Sequence, residues 1–160
     1  MGYLLARLRT KKRQDKVSAG TGITHSEFNG DHNHPVKFLQ IWIYPNQKDV
    51  EPRYDQRTFI PETQKNRFQQ IVSPSAEDEG LWIYQNAWLH AGTFDKGVEG
   101  EYILKKEGNG IYIFLIEGEI MIDNQKINKR DGFGILGVNS FFFKANLKSE
   151  ILLMEVPMAV

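Results

Sequence analysis

Short strand-like runs separated by turn residues occupy most of this chain, and their spacing does most to limit its fold. Glycine, asparagine and aspartate recur between apolar runs that are too short for most helices. Several short strands at such intervals are typical of a sandwich or barrel, in which a curled sheet shortens or removes its exposed edges. The sequence therefore predicts an all-β fold. The predicted strands in the C-terminal part are residues 68–72, 81–84, 88–94, 102–105, 111–116, 119–123, 132–136, 140–144 and 150–156.

A further strand is predicted at residues 38–44, where aromatic and β-branched residues precede Pro45. Leu39, Ile41 and Ile43 alternate along this strand, so they share one face and should be half-buried or fully buried. Residues 46–66 contain prolines and many charged residues. We expect this segment to be a long polar connection between two lobes.

The composition excludes several classes of site and partner. The 160 residues include 20 Lys and Arg against 20 Asp and Glu, so the net charge does not indicate nucleic acid or a membrane as a partner. The absence of cysteine excludes disulfides, thiolate nucleophiles and Cys-ligated zinc. Arg7 interrupts the first apolar run too early for a signal peptide, and no run approaches the roughly 18 apolar residues of a membrane span. We expect a soluble, cytoplasmic protein.

A histidine and a carboxylate follow a glycine-rich turn near the N-terminus. Gly20 and Gly22 mark the turn, and His25 and Glu27 stand two residues apart in the extended segment after it. On a strand, this spacing points both side chains to the same face. If that face is the inside of a barrel, the imidazole and the carboxylate are suitable ligands for a transition metal. The sequence thus predicts half of a metal site.

Three motifs of the predicted N-terminal lobe and two of the predicted C-terminal lobe resemble those of one known family. Residues 18–29 read Ser-Ala-Gly-Thr-Gly-Ile-Thr-His-Ser-Glu-Phe-Asn, residues 38–43 read Phe-Leu-Gln-Ile-Trp-Ile, and residues 52–54 read Pro-Arg-Tyr. Residues 72–74 and the hairpin at 117–120, leading to Arg-Asp-Gly at 130–132, complete the pattern. The chain resembles the pirin family, bicupin proteins that include the pirin-like quercetin dioxygenases, over about residues 17–160.

The resemblance implies two stacked cupin barrels of the RmlC-like jelly-roll type, with one metal, usually iron, in the N-terminal barrel. Family members hold the ion with a His-x-His pair from earlier strands and with the histidine and glutamate of the His-Ser-Glu motif. Only the latter pair is present here, as His25 and Glu27. We therefore expect residues 1–16 to be a divergent basic arm, 17–60 the remnant of an N-terminal barrel plus a linker, and 61–160 a complete C-terminal barrel.

The implied activity is metal-dependent oxygenolytic cleavage of a flavonol such as quercetin, with Glu27 helping to remove the substrate's proton. Two ligands of four should bind a divalent transition metal weakly, so we expect weak activity or none. An alternative is a metal-poor binding module that acts through protein partners, as nuclear pirins do. A third possibility is a homodimer, in which a second copy of the chain pairs with unpaired strand edges.

The remaining histidines are expected to lie outside a metal site. His32 and His34 form another His-x-His, but they lie in a turn-rich loop that ends at Pro35. We expect an exposed loop there rather than replacement ligands. His90, on a predicted C-terminal strand, is expected to be a hydrogen-bonded structural histidine.

We expect the basic run and the large aromatic residues to have structural roles. The basic run at residues 7–16 lacks the interleaved aromatics of a nucleic-acid binder, so we expect a solvated or frayed arm. We expect Trp42, Trp82 and Trp88 to fill the core and the lobe interface rather than to stack on a flavonoid. Consecutive phenylalanines at 141–143 face both sides of a strand, so another lobe or a second chain should cover one face.

Overall fold

The computed structural model describes residues 4–9, 13–26 and 28–158, and strands dominate it. The one short helix among these residues is a 3-10 turn at Pro61–Gln64, so the predicted all-β class is confirmed. In chain order, the strands are β1 (Leu4–Arg9), β2 (Arg13–Ser18), β3 (Phe38–Ile43), β4 (Arg53–Thr58), β5 (Gln69–Ser73), β6 (Leu81–Trp82), β7 (Trp88–Phe94), β8 (Glu99–Ile103), β9 (Asn109–Glu117), β10 (Glu119–Ile122), β11 (Gln125–Asn128), β12 (Gly132–Ile135), β13 (Ser140–Ala145) and β14 (Ser149–Pro157).

Two sheets form a C-terminal barrel. One has six strands in the order β12-β9-β14-β7-β5-β6, and the other has four in the order β11-β10-β13-β8. All their pairings are antiparallel except that of β5 with β6. Alternate side chains of these strands meet between the sheets, where Phe94, Ile113, Phe141 and Phe143 belong to one buried apolar cluster. This cluster is the core of the barrel.

A third sheet, formed by the N-terminal strands, packs on the outside of the six-stranded sheet. Its order is β3-β1-β2-β4, with every neighbouring pair antiparallel. Leu39, Ile41 and Ile43 are half-buried along β3 and pack against a second apolar cluster that includes Leu89 and Leu152 of the barrel. The predicted apolar face of this strand is therefore confirmed, and it holds the N-terminal sheet on the barrel.

The expected solvated arm is wrong for the part of it that the structure describes. β1 and β2 are the two central strands of the N-terminal sheet, and Lys16 on β2 has no exposed surface. The alternation of a strand explains this, because Lys16 lies on the face that packs on the barrel. A run of basic residues is therefore not sufficient to predict a solvent-exposed segment in this chain.

The expected polar connection at 46–66 is also wrong in part, because β4 lies within it. β4 is an edge strand with polar side chains, and a polar edge strand resembles a loop in composition. One aromatic prediction needs correction as well, because Trp42 is 59% exposed rather than buried filler. Phe142 is 64% exposed, so no other part of the described chain covers its face, and cover by a second chain remains a prediction.

The boundaries 1–16, 17–60 and 61–160 remain a prediction. Within the ranges described, the structure contains no helix of the length and apolar character needed to cross a membrane.

Candidate functional site

The glycine-rich turn that precedes the predicted metal ligands is formed as expected. The Gly22 N–H donates a hydrogen bond to the Ala19 carbonyl over 2.7 Å. Gly20 has a φ of 51°, in the left-handed region, and a Cβ there would collide with the Val50 carbonyl oxygen. Glycine is therefore required at position 20, and the turn fixes the start of the segment that carries His25.

The structure places His25 on the surface rather than inside a barrel. No strand is formed between residues 19 and 37 in the part of this segment that is described, and the His25 side chain is exposed. The expectation of an inward-facing strand is therefore wrong for His25. Glu27 lies outside the described residues. Their assignment as metal ligands remains a prediction.

The loop that carries His32 and His34 is exposed, as predicted. The Asp31 carboxylate organises it, because Oδ1 accepts hydrogen bonds from the backbone N–H groups of Asn33 and His34. The Nδ1 of His34 lies 3.0 Å from Oδ2 of the same carboxylate. These hydrogen bonds, chiefly the one from Asn33, lower the pKa of Asp31. The loop is held by its own aspartate.

The side chains that the structure describes do not fit a cupin metal centre. Over residues 4–9, 13–26 and 28–158, no three His, Cys, Asp or Glu side chains are grouped so as to hold an ion. Transition metals in proteins ordinarily take three or four protein ligands. We therefore derive no chemical step through a bound metal.

A buried polar cluster lies inside the C-terminal barrel, and its centre is Glu155 of β14. This carboxylate has no exposed surface, and it accepts four hydrogen bonds of 2.8 to 2.9 Å. The donors are the Tyr102 hydroxyl, the backbone N–H groups of Lys105 and Lys106, and the Asn109 side-chain amide. Each carboxylate oxygen thus has two donors, which offsets the desolvation of the charge.

His90 joins the same cluster from β7. Its Nδ1 lies 3.4 Å from the Tyr102 hydroxyl oxygen, and the two rings meet edge to face at 5.1 Å. Because Tyr102 donates its proton to Glu155, Nδ1 of His90 carries the proton that completes the pair. The predicted role of His90 as a hydrogen-bonded structural histidine is confirmed.

Burial sets the protonation of this cluster. It lowers the pKa of His90 to about 4, with a further contribution from the nearby Lys105 charge, so the ring is neutral at neutral pH. Burial and the Glu155 charge both raise the pKa of Tyr102. The cluster therefore holds its protons firmly and ties residues 105–109 to β14. The sequence contained a signal for it, since Glu155 interrupts the apolar run at 152–156.

Comparison with protein families and known proteins agrees with this architecture. The family model of the quercetinase C-terminal cupin domain matches residues 70–156, just over half of the chain. That range begins in β5 and ends in β14, so it coincides with the C-terminal barrel.

Similar proteins extend the likeness to the N-terminal sheet. A quercetin 2,3-dioxygenase of Escherichia coli K12 is 32% identical over 141 residues, which are 88% of this chain and 59% of that protein. The chain thus spans about three fifths of that relative's length.

Solved structures show the same arrangement. The crystal structure of YhhW from Escherichia coli superposes with a TM-score of 0.85 and 26% identity, over 99% of this chain and 72% of that one. A structure described as the bacterial pirin YhhW in complex with nickel(II) gives a TM-score of 0.85 and 25% identity over 99% of this chain and 73% of that one. The barrel, the matching domain and these relatives together show that the chain belongs to the pirin family of quercetinase-like cupin proteins, as its motifs predicted.

Proposed function

We propose that this chain is a pirin-like cupin with an incomplete metal site, and that its flavonol-cleaving activity is weak or absent. The observation that carries the proposal is the placement of its histidines. The sequence has four, and His90 is buried in the C-terminal barrel beside Tyr102. The other three lie between residues 25 and 34, where their side chains are exposed and His34 contacts Asp31.

His25 and Glu27 are the proposed ligand positions, and Glu27 is the proposed base toward a phenolic substrate. Both assignments rest on the resemblance of the His-Ser-Glu motif to that of the family. The resemblance also makes iron the proposed metal, while a similar solved structure is described as a nickel(II) complex. Two protein ligands bind a divalent ion less tightly than three or four, and an exposed imidazole leaves the ion open to water.

The proposed substrate class is a flavonol. A relative that shares 32% of its residues with this chain is named a quercetin 2,3-dioxygenase, which supports that class. The chain spans 59% of that relative's length.

Metal content and quercetin turnover test the proposal together. The purified chain is loaded with Fe(II) or Ni(II), desalted and analysed by plasma mass spectrometry, and quercetin loss is followed under oxygen. We expect metal well below one ion per chain and quercetin loss no faster than with the metal salt alone. His25→Ala should remove the residual binding, whereas the matched variant His34→Ala should leave it.

Two outcomes would contradict the proposal in different ways. One ion per chain that survives desalting, with turnover lost in His25→Ala, would show a complete site and an active enzyme. Residual binding that is insensitive to His25→Ala would show that the ligand assignment is wrong.

A second candidate function, association with another copy of the chain, is favoured by the N-terminal sheet. Its outer strands β3 and β4 each have one neighbour among the described strands, so each presents an edge. The outer face carries Phe38, Trp42 and Tyr54, all exposed, and the register of β1 and β2 aligns Trp42 with Tyr54 across the sheet. Exposed edges and aromatic faces are typical of association surfaces.

Sedimentation tests this candidate directly. We expect a dimer that dissociates when Trp42→Lys places a charge on the face, while the matched variant Phe142→Lys on the C-terminal barrel leaves it intact. A monomer at all accessible concentrations would contradict self-association.

A further inference from the structure

Three polar atoms are buried without a hydrogen-bond partner at the contact between the N-terminal sheet and the barrel. They are Nζ of Lys16, Oγ of Ser18 and Nε of Arg53, and no described residue supplies a partner for any of them. Lys16 and Ser18 have almost no exposed surface, and Arg53 is half-buried. Buried polar atoms are nearly always paired, so three orphans in one place need an explanation.

The sheet register brings these atoms to one side of the N-terminal sheet. Ser18 on β2 lies opposite Arg53 on β4, and Lys16 lies opposite Asp55. Residues two apart on a strand share a face, and so do residues that pair across strands. The three unpaired atoms therefore lie on the face that is turned to the barrel.

Trp82 of the barrel meets both cations. The Arg53 guanidinium carbon lies 3.5 Å from the centre of a Trp82 ring, and Nη2 donates a hydrogen bond to the Trp82 carbonyl over 2.9 Å. Lys16 Nζ lies 5.0 Å from a Trp82 ring centre. Contact with an indole ring is favourable for a cation, but it satisfies none of the three N–H or O–H groups. The two cations are thus brought together, while Lys16 Nζ and Arg53 Nε have no acceptor among the described residues.

Among the side chains that the structure describes, few other charges face this cluster. Asp55 lies opposite Lys16 on β4, and the Asp55 charge partly offsets the Arg53 charge at Lys16. On β1 the residue opposite Lys16 is Ala6, which is uncharged. From the barrel, Tyr84 is the titratable group near Arg53. The local balance is therefore positive, with hydrogen-bond donors in excess.

We propose that Lys16, Ser18 and Arg53 form a binding site for one small oxyanion between the N-terminal sheet and the barrel. An oxyanion has several acceptor oxygens, so one ion accepts from an ammonium, a hydroxyl and a guanidinium N–H together. The ligand is small, such as sulfate or phosphate, because the three atoms are closed off from solvent and a larger group would separate the two sheets. Nothing in the proposed flavonol chemistry requires this site.

The protonation of Lys16 supports the same conclusion. Burial, and then the Arg53 charge, lower the pKa of Lys16 to about 7. A bound anion favours the charged form of Lys16, so binding raises that pKa and is tightest where Lys16 is protonated. The affinity should therefore fall as the pH rises through about 7.

Thermal unfolding with low-millimolar sulfate tests the site, against chloride at the same ionic strength. At about pH 6, sulfate should raise the melting temperature of the natural chain by about 3 °C or more, if its concentration is about ten times the dissociation constant. Lys16→Met should remove this rise, and the matched variant Lys96→Met, at an exposed lysine of the barrel, should keep it. Ser18→Ala should weaken sulfate binding about three- to tenfold, since one neutral donor is lost.

A second measurement does not depend on stability. Sulfate should change the fluorescence of Trp82 saturably in a chain whose other tryptophans are replaced by phenylalanine, and Lys16→Met should abolish the change. An equal rise of melting temperature in the natural chain and in Lys16→Met would overturn the proposal, because it would be a general effect of an excluded salt. No response in either measurement would also overturn it, and would leave water as the partner of the three atoms.

Discussion

Among the described residues, the C-terminal barrel and the N-terminal sheet each bury one charged side chain completely, and they do so in opposite ways. Glu155 in the barrel accepts four hydrogen bonds from groups that the barrel itself supplies. Lys16 in the N-terminal sheet has no exposed surface either, but its ammonium has no hydrogen-bond partner among the described residues. Burial alone therefore does not decide what a charge does to a fold.

The difference lies in how each charge is compensated. A carboxylate whose oxygens are all paired fixes the groups that bind it, here the backbone at Lys105 and Lys106. An ammonium that lacks acceptors either loses its proton or needs a ligand from outside the chain. The barrel is internally complete in this respect, whereas the interface of the N-terminal sheet depends on pH and solutes.

The largest expected change in stability follows from removal of the compensated charge of Glu155. Glu155→Ala leaves four donors unsatisfied in the barrel and should lower the free energy of unfolding by about 3–5 kcal/mol. Denaturation by urea, followed by circular dichroism, measures the loss. Glu150→Ala on the same strand is the matched control and should change stability by about 0.5 kcal/mol. Equal losses in the two variants would show that the Glu155 hydrogen bonds contribute little.

Removal of the uncompensated charge of Lys16 should change the free energy of unfolding in the opposite direction. Without added oxyanion at about pH 6, Lys16→Met should be more stable than the natural chain by about 2 kcal/mol, because a buried charge is replaced by an apolar side chain. The folded pKa of about 7 lies below the ordinary 10.5, so between these values the unfolded chain binds more protons. The natural chain thus gains stability as the pH rises.

The pH dependence of that difference provides the check. Above pH 7 the advantage of Lys16→Met should shrink by up to about 1 kcal/mol per pH unit, as measured by urea denaturation at several pH values. A constant advantage from about pH 6 to about pH 9 would show that the folded pKa of Lys16 is not lowered.

The smallest expected difference in stability, about 1–2 kcal/mol, is between alanine variants of two turns, one from each region. Gly20 has positive φ and no room for a Cβ beside Val50, so Gly20→Ala should lose about 2–3 kcal/mol of stability. Gly137 in the barrel has a φ of 70° but no described atom within 4 Å of an added Cβ, so Gly137→Ala should lose only about 1 kcal/mol. Similar melting temperatures for the two variants would mean that the 19–22 turn yields to the methyl group.

Strands whose side chains alternate in polarity or are largely apolar could be predicted from the sequence. β3, β7, β9, β13 and β14 were found because apolar packing on at least one face leaves a clear pattern. β4 and β11 were missed because they are mostly polar, and β11 buries Ile127 alone. Such strands are defined by neighbours that are distant in sequence, and composition does not reveal those neighbours.

The candidate sites also differ in how far they could be predicted from the sequence. Local residues define the 19–22 turn and the loop around Asp31, so both could be predicted. The hydrogen bonds to Glu155 join residues up to 53 positions apart, and the Lys16 contact with Trp82 joins two different sheets. These contacts depend on tertiary structure, so they could not be predicted from the sequence. The only sequence signal for them is a charged residue within an apolar or paired strand.

The place of β14 in the six-stranded sheet has a consequence for synthesis on the ribosome. This strand lies between β7 and β9 and brings Glu155 to its donors. A nascent chain whose residues 149–157 are still in the exit tunnel leaves β7 and β9 without their common neighbour. The barrel therefore closes only after these residues leave the tunnel, and until then two unpaired strand edges are open to neighbouring nascent chains and to chaperones.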